Sequence, residues 1–257
     1  SAGGIATKEE KYRMQYLRCN IVMKDLFEWS DDIICAFAAD VDGINFSGEV
    51  QISKHTDIAS LPTTDIIYFT QEYMVPTPTY NESSYLDTLS REATEHFIET
   101  THELYAEKCG KRIGKSIQGI FTDEPHRGAL MTGFSVPNRE PAMLAPYTDD
   151  LFDCFKKAFG YDLKDKLPEL FLRKDGKYYA KVKWQYTELL TELFIKNFMK
   201  PYHNWCKDHD LLFTGHMLHE DRLSYQVSTN GSVMRCYEHM DVPGVDTLCN
   251  HNYAYCI

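Results

Sequence analysis

The sequence lacks several features that would place it in a class at once. It contains no run of about 18 apolar residues, which excludes a membrane-spanning helix. Positive charge is scarce, because 27 Lys and Arg oppose 38 Asp and Glu, and the resulting net charge of −11 repels phosphate backbones. We therefore expect no membrane and no nucleic acid among the partners. Neutral or cationic ligands, sugars among them, are favoured.

Motifs of several enzyme classes are missing as well. No G-x-G-x-x-G and no P-loop follows a predicted strand, and no G-x-S-x-G nucleophile elbow occurs. The eight cysteines form no C-x-x-C pair, and several lie in apolar stretches, so we expect free buried thiols and no disulfide framework. Residues 1–4 carry no signal-peptide pattern. These absences predict a cytoplasmic protein.

What is present indicates a globular chain with a large core. The 257 residues are 43% hydrophobic and 25% charged, a balance typical of folded domains, and the length is about that of one α/β barrel. Aromatic residues make up 13%, with 17 Tyr, 14 Phe and 3 Trp. Tyr and Trp combine a flat apolar face with a polar tip, so they suit either sugar stacking or a large aromatic core.

Hydrophobic patterning divides the chain into two parts. Up to about residue 75 it predicts short strands at 12–19, 32–40, 46–52 and 65–69, with a turn at Asp42-Gly43. Past residue 85 strands alternate with helices. The predicted strands there are 117–121, 211–213 and 242–248. The predicted helices run from a Ser90 cap to Gly110, from a Thr148 cap to Gly160, and over 178–208 with a kink or break at Pro201.

Strands that alternate with helices predict a parallel sheet. Because no nucleotide-binding fingerprint follows any strand, the pattern favours an α/β protein of the TIM-type (β/α) barrel over a doubly wound sheet. In such barrels the active site lies at the carboxyl ends of the strands. The residues that directly follow each predicted strand are therefore the candidate site residues.

The first candidate segment follows strand 117–121. Asp123 and Glu124 are adjacent, so they point to opposite faces and cannot share one role. We expect Glu124 to enter the pocket as a catalytic carboxyl and Asp123 to bind substrate or brace a neighbouring strand. His126 and Arg127 are further candidates for substrate binding. The alternative is that one acid caps a helix N-terminus and the other is only exposed to solvent.

The second candidate segment follows strand 211–213. His216, His219 and Asp221 are expected to bind sugar hydroxyls, and Glu220 is the candidate for the second catalytic carboxylate. A zinc site that uses both histidines and Glu220 stays an alternative, although the H-x-x-x-H spacing of zincins and a clear further ligand are missing.

Further substrate-binding candidates lie at the end of the last strand and in an aromatic loop. Asp246 lies near the end of predicted strand 242–248, and His251 follows that strand. Tyr80 offers an aromatic ring that suits either stacking on a sugar or packing in the core. Two carboxyl groups on separate strand ends are the arrangement that glycoside hydrolysis requires, one as the acid and one as the base or nucleophile.

These segments resemble the α-L-rhamnosidase-like group of glycoside hydrolases, the family 106 type. The resemblance covers roughly residues 85–250 and is carried by F-I-E-T-T-H-E-L-Y at 97–105, G-I-F-T-D-E-P at 119–125, F-G-Y-D-L at 159–163, L-P-E-L at 167–170, T-G-H at 214–216 through Glu220, and V-P-G-V-D at 242–246.

The resemblance implies a TIM-type barrel, hydrolysis of a glycosidic bond with inversion, Glu124 and Glu220 as the catalytic pair, and room for a calcium ion near the sugar. It also implies the domain boundaries: 1–12 as the loop of an early barrel unit, 13–65 as a β-rich insertion, and 66–257 as the barrel catalytic region. Relatives carry further strands before residue 1 and after residue 250. We therefore expect an incomplete barrel that another chain or domain can complete, with a carbohydrate as substrate.

Two other functions remain open at this point. Missing barrel strands are compatible with a non-catalytic carbohydrate-binding or structural barrel fragment, whose exposed sheet edges would need partners. A metal-dependent hydrolase is the third hypothesis, and the sequence identifies no definite metal ligands.

Overall fold

The computed structural model describes residues 3–128 and 143–246, and the chain divides into two compact units. The mixed-sheet unit consists of residues 16–72 and 131–189. The parallel-sheet unit consists of residues 1–15, 73–130 and 190–257.

The mixed-sheet unit is built on six strands in the order β6-β1-β4-β2-β3-β7. Their bounds are β1 (Gln15–Met23), β2 (Ile33–Asp42), β3 (Asn45–Ile52), β4 (Asp65–Tyr73), β6 (Leu144–Tyr147) and β7 (Arg173–Lys174). β2 pairs antiparallel with both β3 and β4, whereas β3 pairs parallel with β7. The predicted hairpin is confirmed, because Asp42 faces Asn45 across a tight turn in which Gly43 adopts a φ of 58°.

The apolar runs of β2 and β4 explain why these strands lie at the centre of the sheet. Ala36 and Ala38 of β2 pack with Ile52 and Ile66 in one buried cluster, joined by partly buried Val22, Phe27, Trp29, Ile33, Ile58, Leu61 and Tyr68. Alternate residues point the opposite way. Phe37 meets Phe69 at 6.3 Å between ring centroids, and Phe69 meets Phe171 at 5.6 Å. Both faces of the sheet are therefore covered by apolar side chains.

Two helices of this unit follow β6. They are α3 (Leu151–Phe159) and α4 (Leu167–Phe171). The predicted cap at Thr148 lies two residues too early: Asp150 occupies the cap position, and Thr148 instead accepts the Leu151 amide at its main-chain carbonyl. The predicted end is confirmed, since Gly160 closes α3 with a φ of 82°.

The parallel-sheet unit contains three strands in the order β5-β8-β9, namely β5 (Gly119–Asp123), β8 (Leu212–His216) and β9 (Val242–Pro243). Both pairings are parallel. The first two strands begin one to two residues later than predicted. The predicted strand 242–248 is present only at its start, and residues 247–248 lie outside the described residues.

Two long helical stretches contain π-helical turns; the second begins in the mixed-sheet unit at Lys181 and passes into the parallel-sheet unit at Leu190. α1 (Arg91–Phe97) continues through a π-helix at Ile98–Glu103 into α2 (Leu104–Cys109), and α5 (Lys181–Phe194) continues through Ile195–Met199 into α6 (Lys200–Asp208). α7 (Leu223–Thr229) and α8 (Val233–Tyr237) are short, and 3₁₀ turns occupy Gly4–Thr7, Glu10–Tyr12, Lys24–Leu26, Ile58–Ser60, Pro78–Tyr80, Gly110–Arg112 and Leu163–Lys166.

Local signals in the sequence account for the ends of these helices. The predicted Ser90 cap is confirmed, since its hydroxyl accepts the Ala93 amide at 3.2 Å. Near Pro201, where a kink or division was predicted, the helical stretch continues: a π-helical segment ends at Met199, and Pro201 lies in the first turn of α6.

Aromatic side chains form the core of the parallel-sheet unit. Rings of Phe194, Phe198, Tyr202 and Phe213 follow one another at centroid distances of 5.5, 5.7 and 4.9 Å. They pack the α5–α6 region against β8. Many of the abundant aromatic residues therefore serve the core.

The predicted TIM-type barrel is wrong. A barrel of this type requires eight parallel strands joined by helices, but the described residues form a three-stranded parallel sheet and a separate six-stranded mixed sheet with antiparallel pairs. The alternation of strands and helices beyond residue 85 misled the prediction, because β6 and β7 lie within that region yet belong to the mixed sheet. An α/β composition is present, and a closed ring of strands and helices is not found in the described ranges.

No helix in the described residues is both long and apolar enough to cross a membrane. Six cysteines in the same residues are free thiols: Cys19, Cys35, Cys109, Cys154, Cys206 and Cys236.

Candidate functional site

The carboxyl ends of β5 and β8 bring the predicted site segments side by side. Asp123, the last residue of β5, is the direct partner of His216, the last residue of β8. Pro243 of β9 pairs with Gly215 on the other side of β8. Residues that leave these strands therefore start from one edge of the parallel sheet, which is where α/β proteins bind ligands.

Asp123 and His216 also meet through their side chains. Nε2 of His216 lies 3.1 Å from Oδ1 of Asp123. The imidazole is mostly buried, whereas the Asp123 side chain is 65% exposed. Nδ1 of His216 is buried and meets no hydrogen-bond partner in the part of the chain that the structure describes. The carboxylate thus orients the ring and keeps an open face toward solvent.

Glu124 follows β5 in an unusual backbone conformation. Its φ is 51°, in the left-handed region that costs a residue with a Cβ about 1 kcal/mol. Its amide donates to the carbonyl of His216 at 3.1 Å, so the hydrogen-bond ladder with β8 holds it there. Burial raises the pKa of the half-buried Tyr80 phenol, and the negative charge of Glu124 raises it further.

Glu220 is held by a complete set of donors. Its carboxylate accepts hydrogen bonds from the Met217 amide at 3.3 Å, from the Tyr237 hydroxyl at 2.5 Å and from the Asp246 amide at 2.5 Å. The residue is only 8% exposed. All three neighbours donate, so the site accommodates an ionised carboxylate.

Tyr237 is a site residue that the sequence analysis missed. It ends α8, 17 positions after Glu220, and no spacing rule connects a tyrosine at that distance to a catalytic motif. Burial and the hydrogen bond to Glu220 raise the pKa of Tyr237, so its phenol stays protonated as a donor. Its hydroxyl also lies 3.1 Å from the carbonyl of Gly244, which ties α8 to the segment after β9.

The main chain limits how far the two glutamates can be apart. The amide of Glu124 bonds to the His216 carbonyl, and the next amide, that of Met217, bonds to the Glu220 carboxylate. Through these contacts the Glu124 nitrogen lies within about 9 Å of the Glu220 carboxylate. The sheet therefore brings both predicted carboxyl residues to one locality.

His126 and Arg127 lie in the interior. His126 is stacked on Tyr85 at 4.1 Å between ring centroids, and its Nδ1 accepts the Gly128 amide. Burial lowers the pKa of His126 to about 3, so this ring is neutral near neutral pH. Arg127 is fully buried and donates to the carbonyl of Val227 at 2.7 Å. Both residues hold the loop after β5 in place.

The remaining predicted residues lie near Glu220 or outside the residues that the structure describes. His219 has a φ of 56° and its ring is 5.6 Å from that of Tyr225. Asp221 lies 3.5 Å from the Arg222 guanidinium, and Asp246 reaches Glu220 through its amide. His251 lies outside the described residues.

A metal site does not fit the described residues. In residues 3–128 and 143–246 no three His, Cys, Asp or Glu side chains are grouped in a way that could hold an ion. In the zinc hypothesis His216 and Glu220 would be ligands, yet Nε2 of His216 contacts Asp123 and both carboxylate oxygens of Glu220 accept hydrogen bonds. We derive no chemical step through zinc or calcium.

Comparisons with known proteins give a structural similarity. No protein-family model and no curated protein sequence matches the chain. Its fold is similar to part of a rhamnosidase from Novosphingobium sp. PP1Y, with a TM-score of 0.52 and 16% identity. The similarity covers 85% of this chain and 20% of the rhamnosidase, so the chain spans about a fifth of that protein's length. At this identity the similarity concerns the fold alone.

Proposed function

We propose that the protein is a glycoside hydrolase that cleaves a glycosidic bond in an oligosaccharide or glycan, with an α-L-rhamnoside as the sugar released. The observation that carries the proposal is the placement of Glu124 and Glu220 at one edge of the parallel sheet. The fold similarity to a rhamnosidase supports it independently.

The surroundings of the two glutamates suggest which one acts as the general base and which as the general acid. Glu220, surrounded by donors, suits the role of base that removes a proton from water. Glu124, held at the end of β5 by its amide bond to the His216 carbonyl, is then the candidate for the acid that protonates the leaving oxygen. The water oxygen bonds to the anomeric carbon as the bond to the leaving oxygen breaks, and the configuration inverts. Inversion requires about 6.5–9.5 Å between the carboxyl groups.

The other polar residues of this edge would orient the sugar. Asp123 and His216 form a fixed pair with an exposed carboxylate, which suits contact with ring hydroxyls. His219, Asp221 and Asp246 surround Glu220 and are proposed for the same task.

A second function, sugar binding without hydrolysis, is favoured by one specific observation. Glu220 is almost fully buried and accepts three hydrogen bonds, as a carboxylate that only organises a loop would. In that case Glu220 would fix the segment between β8 and β9, and the exposed polar groups would bind sugar without turnover.

Turnover and binding measured together separate the two functions. We expect hydrolysis of an alkyl α-L-rhamnoside, whose leaving oxygen must be protonated, by the unmodified protein, and a loss of about 10²- to 10⁴-fold in Glu124→Gln and Glu220→Gln. Sugar binding by calorimetry should persist in Glu124→Gln. Glu107→Gln, at an exposed position on α2, is the matched control and should keep full activity.

Two outcomes would count against the proposal. Full turnover in both site variants would contradict the assignment of the pair. Sugar binding with no turnover in the unmodified protein would favour the non-catalytic function.

A further inference from the structure

One surface of the mixed-sheet unit combines exposed aromatic rings with positive charges. Tyr178, Tyr179 and Trp184 are 81%, 70% and 57% exposed. Residues 173–184 also carry five cationic side chains, of which Arg173, Lys181 and Lys183 are considered with the rings. We refer to the six residues together as the aromatic–cationic patch: Arg173, Tyr178, Tyr179, Lys181, Lys183 and Trp184.

The rings of the patch are exposed although most large aromatic residues of the chain are not. Tyr186, one turn of α5 further on, is fully buried, and its hydroxyl donates to the Pro146 carbonyl. Single exposed apolar residues are common, but three exposed rings within seven positions are an unusual concentration of the kind that marks ligand-binding surfaces. Tyr and Trp are also the residues whose flat faces stack on sugar rings.

The cations of the patch are not neutralised by the protein. The Arg173 guanidinium lies over the Tyr178 ring, 4.6 Å from its centroid. Burial lowers the pKa of Lys183, and the like charge of Arg173 lowers it further. Neither forms an ion pair with a carboxylate within the described ranges.

Neighbouring lysines behave differently. Lys174 pairs with Glu49, and Lys166 pairs with Glu169 at 2.8 Å. Lys181 begins α5, whose first turn contains no acidic residue. The positive end of the helix dipole makes that a costly position for a cation without an anion nearby. The patch therefore concentrates uncompensated positive charge in a chain whose net charge is −11.

From these features we infer that the aromatic–cationic patch binds an acidic polysaccharide, a chain of uronic acid units. The rings would stack on the apolar faces of the sugars, and the cations would meet carboxylates spaced one per unit. A nucleic acid carries more charge per length, and the net charge of −11 opposes it more strongly. The inference rests on the proposed function in one respect: that function is the reason for choosing a sugar as the ligand over another anion that contains rings.

Affinity electrophoresis and calorimetry with alginate oligosaccharides test this inference directly. We expect the unmodified protein to bind alginate and not neutral dextran. The triple change Tyr178→Ala, Tyr179→Ala and Trp184→Ala should weaken binding at least about tenfold. The double change Arg173→Gln and Lys181→Gln should weaken binding about fivefold and reduce its dependence on salt.

Matched controls come from exposed residues elsewhere. Met23→Ala with Leu26→Ala removes exposed apolar side chains of the same unit, and Lys108→Gln removes an exposed charge. Both should leave alginate binding unchanged. Circular dichroism should show all variants folded, since every substituted side chain is at least partly exposed.

Three results would overturn the inference. Alginate binding that the triple variant retains would show that the rings are not used. Tighter binding of single-stranded DNA through the same residues would replace the sugar with a nucleic acid. A change of mass by sedimentation in the triple variant, without alginate binding by the parent, would make the patch a contact between copies. Because the readout is binding, it is independent of whether the protein hydrolyses rhamnosides.

Discussion

At the scale of single residues, the proposed catalysis depends on how Glu220 is held. Its three donors come from three places along the chain: the loop after β8, the end of α8, and the segment after β9. A carboxylate bound in this way has one orientation, and catalysis by a general base depends on orientation as well as on acidity. Tyr237 is the one donor that can be removed by substitution without altering the main chain.

Tyr237→Phe should act through Glu220. We expect kcat to fall about tenfold to a hundredfold, because a hydrogen bond to a charged group is lost, while KM changes little. The acid limb of the pH–rate profile should move to higher pH, since an ionised Glu220 loses a donor. Steady-state kinetics between pH 4 and 8 would measure both effects.

Tyr161→Phe is the matched control for that change. The Tyr161 hydroxyl donates to Oε1 of Gln185 at 2.5 Å in the mixed-sheet unit, so its loss removes one hydrogen bond without touching the site. It should leave the pH–rate profile in place. A Tyr237→Phe variant with the profile and kcat of the parent would contradict a positioning role for Tyr237.

The sequence predicted the residue types of the site better than their contacts. Glu124 and His216 were expected at strand ends, and the structure joins them through the main chain. Tyr237 could not be predicted, because its contact with Glu220 depends on how α8 packs, which no local pattern encodes. His126, predicted to bind substrate from its place next to a motif, is buried and stacks on Tyr85, another contact that depends on tertiary packing.

At the scale of elements, the parallel sheet depends on one close approach. Gly215 in β8 has a φ of 145°, and a Cβ at this position would lie 2.0 Å from the carbonyl oxygen of Thr122 in β5. Only glycine allows the two strands to come so near. The same pair of strands carries Asp123 and His216, so this contact also sets the geometry of the site.

Gly215→Ala should therefore separate β5 from β8. We expect a loss of about 3 kcal/mol or more in the free energy of unfolding, with loss of any activity, because the obstructing atom is main chain and cannot move aside. Urea denaturation would measure the change. Gly43→Ala is the control, since Gly43 also has a positive φ but meets nothing within 4 Å, and it should cost about 1 kcal/mol. Equal losses in the two variants would contradict the argument.

Element ends were predicted from caps and turns, and the errors have local causes. The Ser90 cap and the Gly160 end were predicted correctly because a hydroxyl or a missing Cβ determines them. The Thr148 cap was placed two residues early, since Asp150 and Thr148 are both acceptable caps by type. The π-helical turn Ile195–Met199 has no sequence signal that distinguishes it from an α-helix.

At the scale of the whole molecule, the sequence predicted strands but not the sheets to which they belong. β6 and β7 are four and two residues long, and their partners β1 and β3 lie far back in the chain. Pairing between strands so far apart in the sequence depends on tertiary packing, and the periodicity of hydrophobic residues indicates only local secondary structure. The barrel was predicted because the local alternation of strands and helices was taken as evidence that the strands close into a barrel.

Stability against acid is a property of the folded parallel-sheet unit. Burial lowers the pKa of His126 to about 3 and that of His102 to about 4, from an ordinary value of 6.5. Between pH 6.5 and these lowered pKa values, both imidazoles are protonated in the unfolded chain but remain neutral in the folded protein. The free energy of unfolding should therefore be highest above pH 6.5 and fall as the pH drops toward 4, by up to about 1.4 kcal/mol per pH unit for each histidine.

Urea denaturation at pH 7, 6 and 5 would measure this slope. His102→Asn removes one of the two groups, so we expect the histidine contribution to the slope to fall by about half, whatever the absolute stability of the variant. An unchanged slope would mean that His102 is not buried in the neutral form.

The most direct test of the central claim compares leaving groups in the Glu124→Gln variant. A dinitrophenyl rhamnoside needs no protonation of its leaving oxygen, whereas an alkyl rhamnoside does. If Glu124 is the acid, the variant should hydrolyse the dinitrophenyl substrate at close to the parent rate and lose at least about a hundredfold on the alkyl substrate. An equal loss on both substrates, or none on either, would contradict the assignment of Glu124 as the acid of a glycoside hydrolase.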